Sequence, residues 1–409
     1  MEGDFIKINK WLLPLSWCYG MGVRFRNMLF DMGILKSQAF SVPIISVGNI
    51  TVGGTGKTPH VEYLLQLLQG MGKVAVLSRG YKRKTSGFVL ADDSATSRTI
   101  GDEPLQMMEK FPEAIVAVDN NRVRGINNLL NNAPDIDAIL LDDAFQHRYV
   151  KPGINILLVD YHRLIIYDCL LPAGRMREPL KGKNRADIVI VTKCPKELKP
   201  MEYRVLTKAM DLYPYQSLFF TTFDYSPLQP VFPATVGADS SVCPPSHAYP
   251  QPTLETLSNY HILLLTGIAS PRQLKEDLEH LSSLHPSPST LHLSTLTFPD
   301  HHRFRSKDVR RINSTFEALP QPRCIITTEK DATRLSDTEG LSDDVRNSMY
   351  ALPVHVSFML GQESSFNESI TGYVRKNSKN SILLSKSNEE HKLNKNSNII
   401  RFSKETSHP

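Results

Sequence analysis

The residues best suited to chemistry form one short run, Thr51-Val52-Gly53-Gly54-Thr55-Gly56-Lys57-Thr58. It lies between an apolar stretch, Pro43-Ile44-Ile45-Ser46-Val47-Gly48, and a helix-forming segment from Pro59 to about Gln69. Glycines let backbone N–H groups approach phosphate oxygens, and a following helix N-terminus adds positive potential. The phosphate-loop pattern is Gly, four residues, then Gly-Lys-Ser/Thr. Gly56, Lys57 and Thr58 match it, while Thr51 replaces the first glycine and Gly53 and Gly54 supply the flexibility. Lys57 would then neutralise β/γ-phosphate charge and Thr58 would hold Mg²⁺. The bland alternative is a glycine turn carrying an incidental lysine. Thr192-Lys193-Cys194-Pro195 stands where a guanine reader carries Asn/Thr-Lys-x-Asp. Pro195 has no carboxylate to pair with guanine, which favours ATP over GTP.

Four further groups could complete such a site. Asp142 and Asp143 end the apolar run Ala138–Asp142 and suit Mg²⁺-linked chemistry. Adjacent carboxylates point apart, so at most one would face the metal, and either could instead cap a turn. Asp102, in Gly101-Asp102-Glu103-Pro104, reads as a helix cap or as a carboxylate that takes a proton from an attacking hydroxyl. Asp300-His301-His302 reads as a polar loop, or as a histidine of one domain closing on an acid of another. Arg175, Arg177 and Glu178 lie in Pro172–Leu180, either a solvated loop or a source of phosphate-stabilising arginines. Thr327-Thr328-Glu329-Lys330-Asp331-Ala332 reads as a strand running into a helix, with Thr328 or Asp331 as its cap.

These residues need a scaffold. Short β-rich runs at 43–48, 73–78, 114–119, 138–142, 154–160 and 187–192 alternate with helix-length segments, which predicts βαβ units and a mostly parallel sheet. The reading is α/β: a first domain over 37–217, linker strands over 218–235 and a smaller α/β domain over 236–360. Residues 236–258 read as a Ser/Pro-rich loop, and 361–409, rich in Asn, Ser and Lys, read as a disordered tail. Residues 1–36 form a separate amphipathic segment. Both tryptophans, Trp11 and Trp17, fall there among apolar residues and Arg24, Arg26 and Lys36. That bulk suits a helix lying in a membrane interface, or a helix packed on its own domain.

Composition limits the rest. The 409 residues, 41% hydrophobic and 22% charged, exclude collagen-like and wholly disordered chains. A net charge of +5 falls short of a nucleic-acid binder but suits an anionic partner. Five scattered cysteines give neither a disulfide framework nor a zinc site. No signal peptide and no bilayer-spanning run are expected.

Taken together, SVGNITVGGTGKTP, the Ser78–Tyr81 SRGY, GDEP, LDDAFQHR, LLPAGRMREPL, the Asp300-His301 pair and TTEKDA closely resemble the tetraacyldisaccharide 4'-kinase family, over roughly residues 5–360. The resemblance implies a P-loop NTPase-like sheet with a second α/β domain. It also implies ATP and Mg²⁺ as cofactors and an acylated disaccharide phosphate as substrate. The protein would be a monomer, peripheral on the cytoplasmic face of the inner membrane. Carried onto this chain, Asp102 would be the general base with His301 beside it. Asp142 and Asp143 would organise Mg²⁺. Thr51–Thr58 and Arg177 would bind nucleotide, and Thr58, Asp142 and Glu178 are the metal candidates. Ala144 stands where many members carry glycine. A nucleotide switch without an acceptor site is the competing reading; it has no need of GDEP or of the Asp-His pair.

Overall fold

A computed structural model describes residues 8–232, 252–253, 256–268, 271–283 and 292–378, together with Ile6. Among them the strands are β1 (Ile44–Gly48), β2 (Val74–Ser78), β3 (Val89–Leu90), β4 (Ile115–Val118), β5 (Ala138–Asp142), β6 (Ile154–Asp160), β7 (Ile188–Thr192), β8 (Ser217–Tyr225), β9 (Gln229–Pro230), β10 (His261–Thr266), β11 (His292–Thr297), β12 (Arg323–Thr328), β13 (Met349–Leu352) and β14 (Val354–Phe358). Nine of them form one sheet in the order β14-β8-β7-β6-β1-β5-β2-β4-β3. Only the edge pairs β14–β8 and β3–β4 are antiparallel. The other five form a second sheet, β11-β10-β12-β13-β9, parallel except for β9.

The interior strands of the first sheet are buried on both faces, which is why they read as continuous apolar runs. The helices α1 (Leu13–Asp31), α2 (Lys57–Gln69), α3 (Asp102–Lys110), α4 (Arg122–Asn132) and α5 (Pro200–Met210) accompany this sheet. Val61, Leu64, Leu65 and Leu68 of α2 recur at helical spacing and join Ile45, Val47 and Leu140 in its core. The second sheet carries α6 (Pro271–Ser283), α7 (Ser306–Glu317), α8 (Glu329–Ser336) and α9 (Asp343–Asn347). Strands β1 and β5 are direct neighbours, with Val47 level with Asp142. The phosphate loop leaving β1 and the acids ending β5 therefore share one sheet edge, where open α/β sheets take ligands.

The strands expected over 218–235 are β8, which extends the first sheet on β7, and β9, which joins the second sheet on β13. Two expectations need correction. The chain returns after Leu352, and β14 pairs antiparallel with β8 in the first sheet, so the second unit stops short of residue 360. Residues 363–378 are helical, a segment called α10 here, and Phe366, Ile370 and Val374 are buried in the first core. Their spacing of four puts them on one face, a signal masked by the polar residues between them. The rest of the expected tail and nearly all of the 236–258 loop lie outside the described residues.

Helix α1 buries Ser16, Gly20 and Phe30. Trp11 is 93% exposed, and Leu15, Trp17, Met21, Phe25 and Met28 are exposed as well. The helix is tied to the first sheet's loops mainly by polar contacts. The Tyr19 hydroxyl donates to the Arg177 carbonyl (2.8 Å), Arg26 to the Gln146 carbonyl (3.2 Å), and Arg148 pairs with Asp31 (2.7 Å). Packing on its own domain thus leaves most of its apolar surface uncovered. Among the described residues no helix is long and apolar enough to cross a membrane.

Candidate active site

The phosphate loop is braced from several sides. Thr51 bridges Met176, the Val52 amide donates to the Arg175 carbonyl (2.7 Å) and the Arg177 amide to the Ile50 carbonyl (2.7 Å), so the 175–177 segment runs along the start of the loop. Asn49 Nδ2 donates to Thr55 Oγ1 (2.8 Å), and Thr192 Oγ1 to the Thr55 carbonyl (3.0 Å). Lys193, paired with Asp160 (2.8 Å), donates to the Gly54 carbonyl. Gly56 caps α2 in left-handed backbone (φ 78°), and a Cβ there would lie 2.7 Å from the Phe223 ring. Glycine is thus demanded by conformation and by space. Buried His60 donates through Nδ1 to the Gly56 carbonyl (2.7 Å) and accepts at Nε2 from Thr221 (3.1 Å). Burial pushes its pKa down to about 4. Residues 54–59 wall a cavity of about 210 Å³ that Phe223, Tyr225 and Leu274 close on its apolar side.

The two acids on the neighbouring strand end differ in surroundings. Asp142 is buried; its Oδ2 accepts from Ser78 Oγ (2.9 Å), while Oδ1 has no hydrogen-bond partner. Burial, then Glu103 and Asp143, push its pKa up to about 6. Asp143 faces Lys57 (3.6 Å) and Arg177 (3.4 Å), which outweigh burial and lower its pKa. The two carboxylates thus have different partners, Ser78 for Asp142 and the Lys57 and Arg177 cations for Asp143. An unpartnered buried carboxylate oxygen on Asp142, with Lys57 close to Asp143 on the same sheet edge, is a donor set suited to Mg²⁺, a hard cation that takes oxygen ligands. Glu178 is buried as well: its Oε2 pairs with Arg185 (2.8 Å), while its Oε1, like Oδ1 of Asp142, has no hydrogen-bond partner. The Arg177 guanidinium reaches Asp143 and Gln146 (both 3.4 Å).

The remaining candidates meet across the two sheets. Asp102 opens α3, but the cap position is Gly101 and no side chain caps the helix. The Asp102 carboxylate turns instead to the second unit: Oδ2 lies 3.2 Å from His301 Nδ1 and 2.7 Å from Arg334 Nε. Both contacts fall on one oxygen. Burial opposes ionisation of Asp102, but the His301 hydrogen bond and the Arg334 charge outweigh it and lower its pKa. Asp143 (φ 46°) and His301 (φ 55°) both hold left-handed backbone. Such positions cost roughly 1–3 kcal/mol for a non-glycine residue and gather at functional sites.

Some residues in this cluster escaped the sequence reading. Lys330 and Arg334, on α8, reach Glu103 (2.8 Å) and Asp102 respectively. Their spacing of four, just after a buried strand, was the available signal. Thr328 does cap α8, accepting from the Asp331 amide. His302 pairs with Asp308 (3.0 Å) and stays apart from the cluster.

The chain is similar over nearly its whole length to proteins of one family. The family model for tetraacyldisaccharide-1-P 4'-kinase matches residues 8–375. A tetraacyldisaccharide 4'-kinase of Phocaeicola vulgatus is 56% identical over 384 residues, 93% of this chain and 99% of that protein. One from Bacteroides thetaiotaomicron is 51% identical over 390 residues, covering 95% of this chain and 99% of its own length. A crystal structure of LpxK from Aquifex aeolicus, described as an "apo" form in complex with ATP, superposes with a TM-score of 0.64 at 28% identity, covering 89% of this chain and 98% of that one. On the strength of the family match and these relatives, the chain belongs to the tetraacyldisaccharide-1-P 4'-kinase family.

Proposed function

We propose that this chain transfers the γ-phosphoryl group of ATP to the 4'-hydroxyl of a tetraacylated glucosamine disaccharide 1-phosphate, the step that gives the lipid A precursor lipid IVA. The observation that carries the reading is the contact of Asp102 with His301 across the two sheets. A nucleotide switch has no use for a carboxylate held there, whereas a kinase needs an acceptor for the hydroxyl proton.

The triphosphate lies along Gly53–Thr58, with Lys57 offsetting charge on the transferring group. The base occupies the adjoining cavity against Phe223, Tyr225 and Leu274. Thr58 and Asp142 would hold Mg²⁺, which would supply positive charge to offset that of the triphosphate. Asp143 keeps Lys57 and Arg177 in place. His301 and Arg334 occupy Oδ2 of Asp102, so Oδ1 takes the proton as the 4'-oxygen attacks phosphorus and ADP leaves. A carboxylate held by two such partners is a weak base. A dissociative phosphoryl transfer asks for little more, because the hydroxyl proton becomes acidic only as the P–O bond forms.

The acyl chains of the acceptor require a membrane surface. The exposed Trp11, Leu15, Trp17, Phe25 and Met28, with Arg24 and Lys36 nearby, suit a helix seated at the lipid interface on the cytoplasmic face of the inner membrane. The protein would be a peripheral monomer without bound nucleic acid. The test is transfer of labelled γ-phosphate from ATP to the disaccharide monophosphate in mixed micelles. We expect acceptor-dependent product; ATP hydrolysis that ignores the acceptor would overturn the assignment.

A further inference from the structure

Lys330 takes no part in the steps above, yet its ammonium is surrounded by groups that do. It is the second residue of α8, and its Nζ lies 2.8 Å from Glu103 Oε1, 3.1 Å from His301 Nε2 and 3.7 Å from Asp300 Oδ1. Burial opposes its charge, but Glu103 and Asp300 outweigh burial and raise its pKa, so the amine is an ammonium at neutral pH. An ammonium has three hydrogens and no lone pair. Across the 3.1 Å contact Lys330 must donate, and His301 Nε2 must accept. A neutral imidazole carries one proton, so that proton sits on Nδ1. Nδ1 faces Asp102 Oδ2 at 3.2 Å and Arg334 Nη2 at 3.3 Å. Of these two only the carboxylate can accept from it; Arg334 donates through Nε to Asp102 and through Nη1 to Asp331 and the Gly267 carbonyl, and its Nη2 contact with Nδ1 is the longer of the pair. The other neighbours of His301 are Asp300, whose Oδ1 lies 3.9 Å from Nε2 and beyond hydrogen-bond reach, the Tyr81 ring edge, and Lys82, which reaches the His301 carbonyl.

We propose that Lys330 is a positioning residue of the phosphoryl transfer: by donating to Nε2 it fixes His301 as the neutral Nδ1–H tautomer and aims that proton at Asp102. The proposal rests on Asp102 being the base. Asp102 Oδ2 then stays engaged by the imidazole, and Oδ1 is kept for the acceptor hydroxyl. Glu103 holds Lys330, and both belong to the pocket wall that the nucleotide completes. A histidine in the wrong tautomer would point a lone pair at the carboxylate and turn the hydrogen bond into repulsion.

The experiment is ¹⁵N NMR of the full chain, labelled at histidine, at neutral pH, with the His301 signal assigned by its loss in His301→Gln. We expect pyrrole-type Nδ1 and pyridine-type Nε2 in the wild type. A pyrrole-type Nε2, or an imidazolium, would overturn the proposal before any lysine variant is made. In Lys330→Met we expect the two nitrogens to move towards averaged shifts. We also expect kcat to fall about tenfold or more, short of the ~10²–10⁴-fold that losing the general base itself would cost. Lys330→Arg, which still donates, should recover part of kcat. An unchanged ring spectrum and kcat in a folded Lys330→Met protein would refute the role of Lys330. Full activity in Asp102→Asn would refute the base reading itself, so the two failures are distinguishable.

Discussion

The site has two halves built in opposite ways. The phosphate half is local: Thr51–Thr58 are consecutive, and the acids that face them end the next strand of the same sheet. The proton-accepting half is assembled over distance. Asp102 meets His301 across 199 positions and Arg334 across 232, and Lys330 meets Glu103 across 227. The local half holds charge by backbone geometry that exists once the first sheet folds. The distant half exists only while the second sheet rests against the first. Nucleotide grip and proton transfer should therefore be separable by mutation.

The largest expected effect is on the distant half. Asp102→Asn should lower kcat by about 10²–10⁴-fold, the usual contribution of a general base, while leaving ATP affinity within a fewfold. Steady-state kinetics with both substrates varied checks this; a raised KM for ATP with normal kcat would place Asp102 in nucleotide binding instead. Lys57→Met should do the reverse in kind: a loss of about 10²-fold or more in kcat accompanied by weaker ATP binding, measured by calorimetry. If its ATP affinity matched the wild type, the loop would not be the phosphate cradle.

How much of this was legible followed the same division. The phosphate loop, its strand and its helix could be read because the residues are contiguous and the periodicity changes around them. Asp142 and Asp143 were legible as the polar end of an apolar run. The pairing of Glu178 with Arg185 was not, because a charged residue in a motif does not reveal its counter-ion. Lys330 and Arg334 were not legible as site residues, because their partners Glu103 and Asp102 are more than 200 positions away. The helix over 363–378 was lost in a polar composition, although Phe366, Ile370 and Val374 mark one apolar face.

That helix offers a stability test of the local half. Phe366→Ala should destabilise the chain by about 3–5 kcal/mol, the cost of a large cavity in a core that α2 and β14 also line, as read by urea unfolding. A change under about 1 kcal/mol would mean that 363–378 is dispensable to the first sheet.

The smallest effect concerns pH. His60 is held neutral, with a pKa pushed down to about 4, whereas an unfolded histidine titrates near 6.5. Between those values the unfolded chain binds more protons than the native one, so stability falls as pH is lowered from about 6.5 towards 4. The His60 contribution is at most about 3 kcal/mol. His60→Asn should flatten this slope in urea titrations repeated across that window; an unchanged slope would remove His60 from the phosphate-loop brace.

The central claim is that Asp102 and His301 act as one unit across the two sheets. It is tested most directly by a double-mutant cycle on kcat with Asp102→Asn, His301→Ala and the pair. Coupled action predicts that the double variant is scarcely slower than Asp102→Asn alone, because the histidine works only through the carboxylate. Losses that multiply would mean two independent roles and would contradict the account.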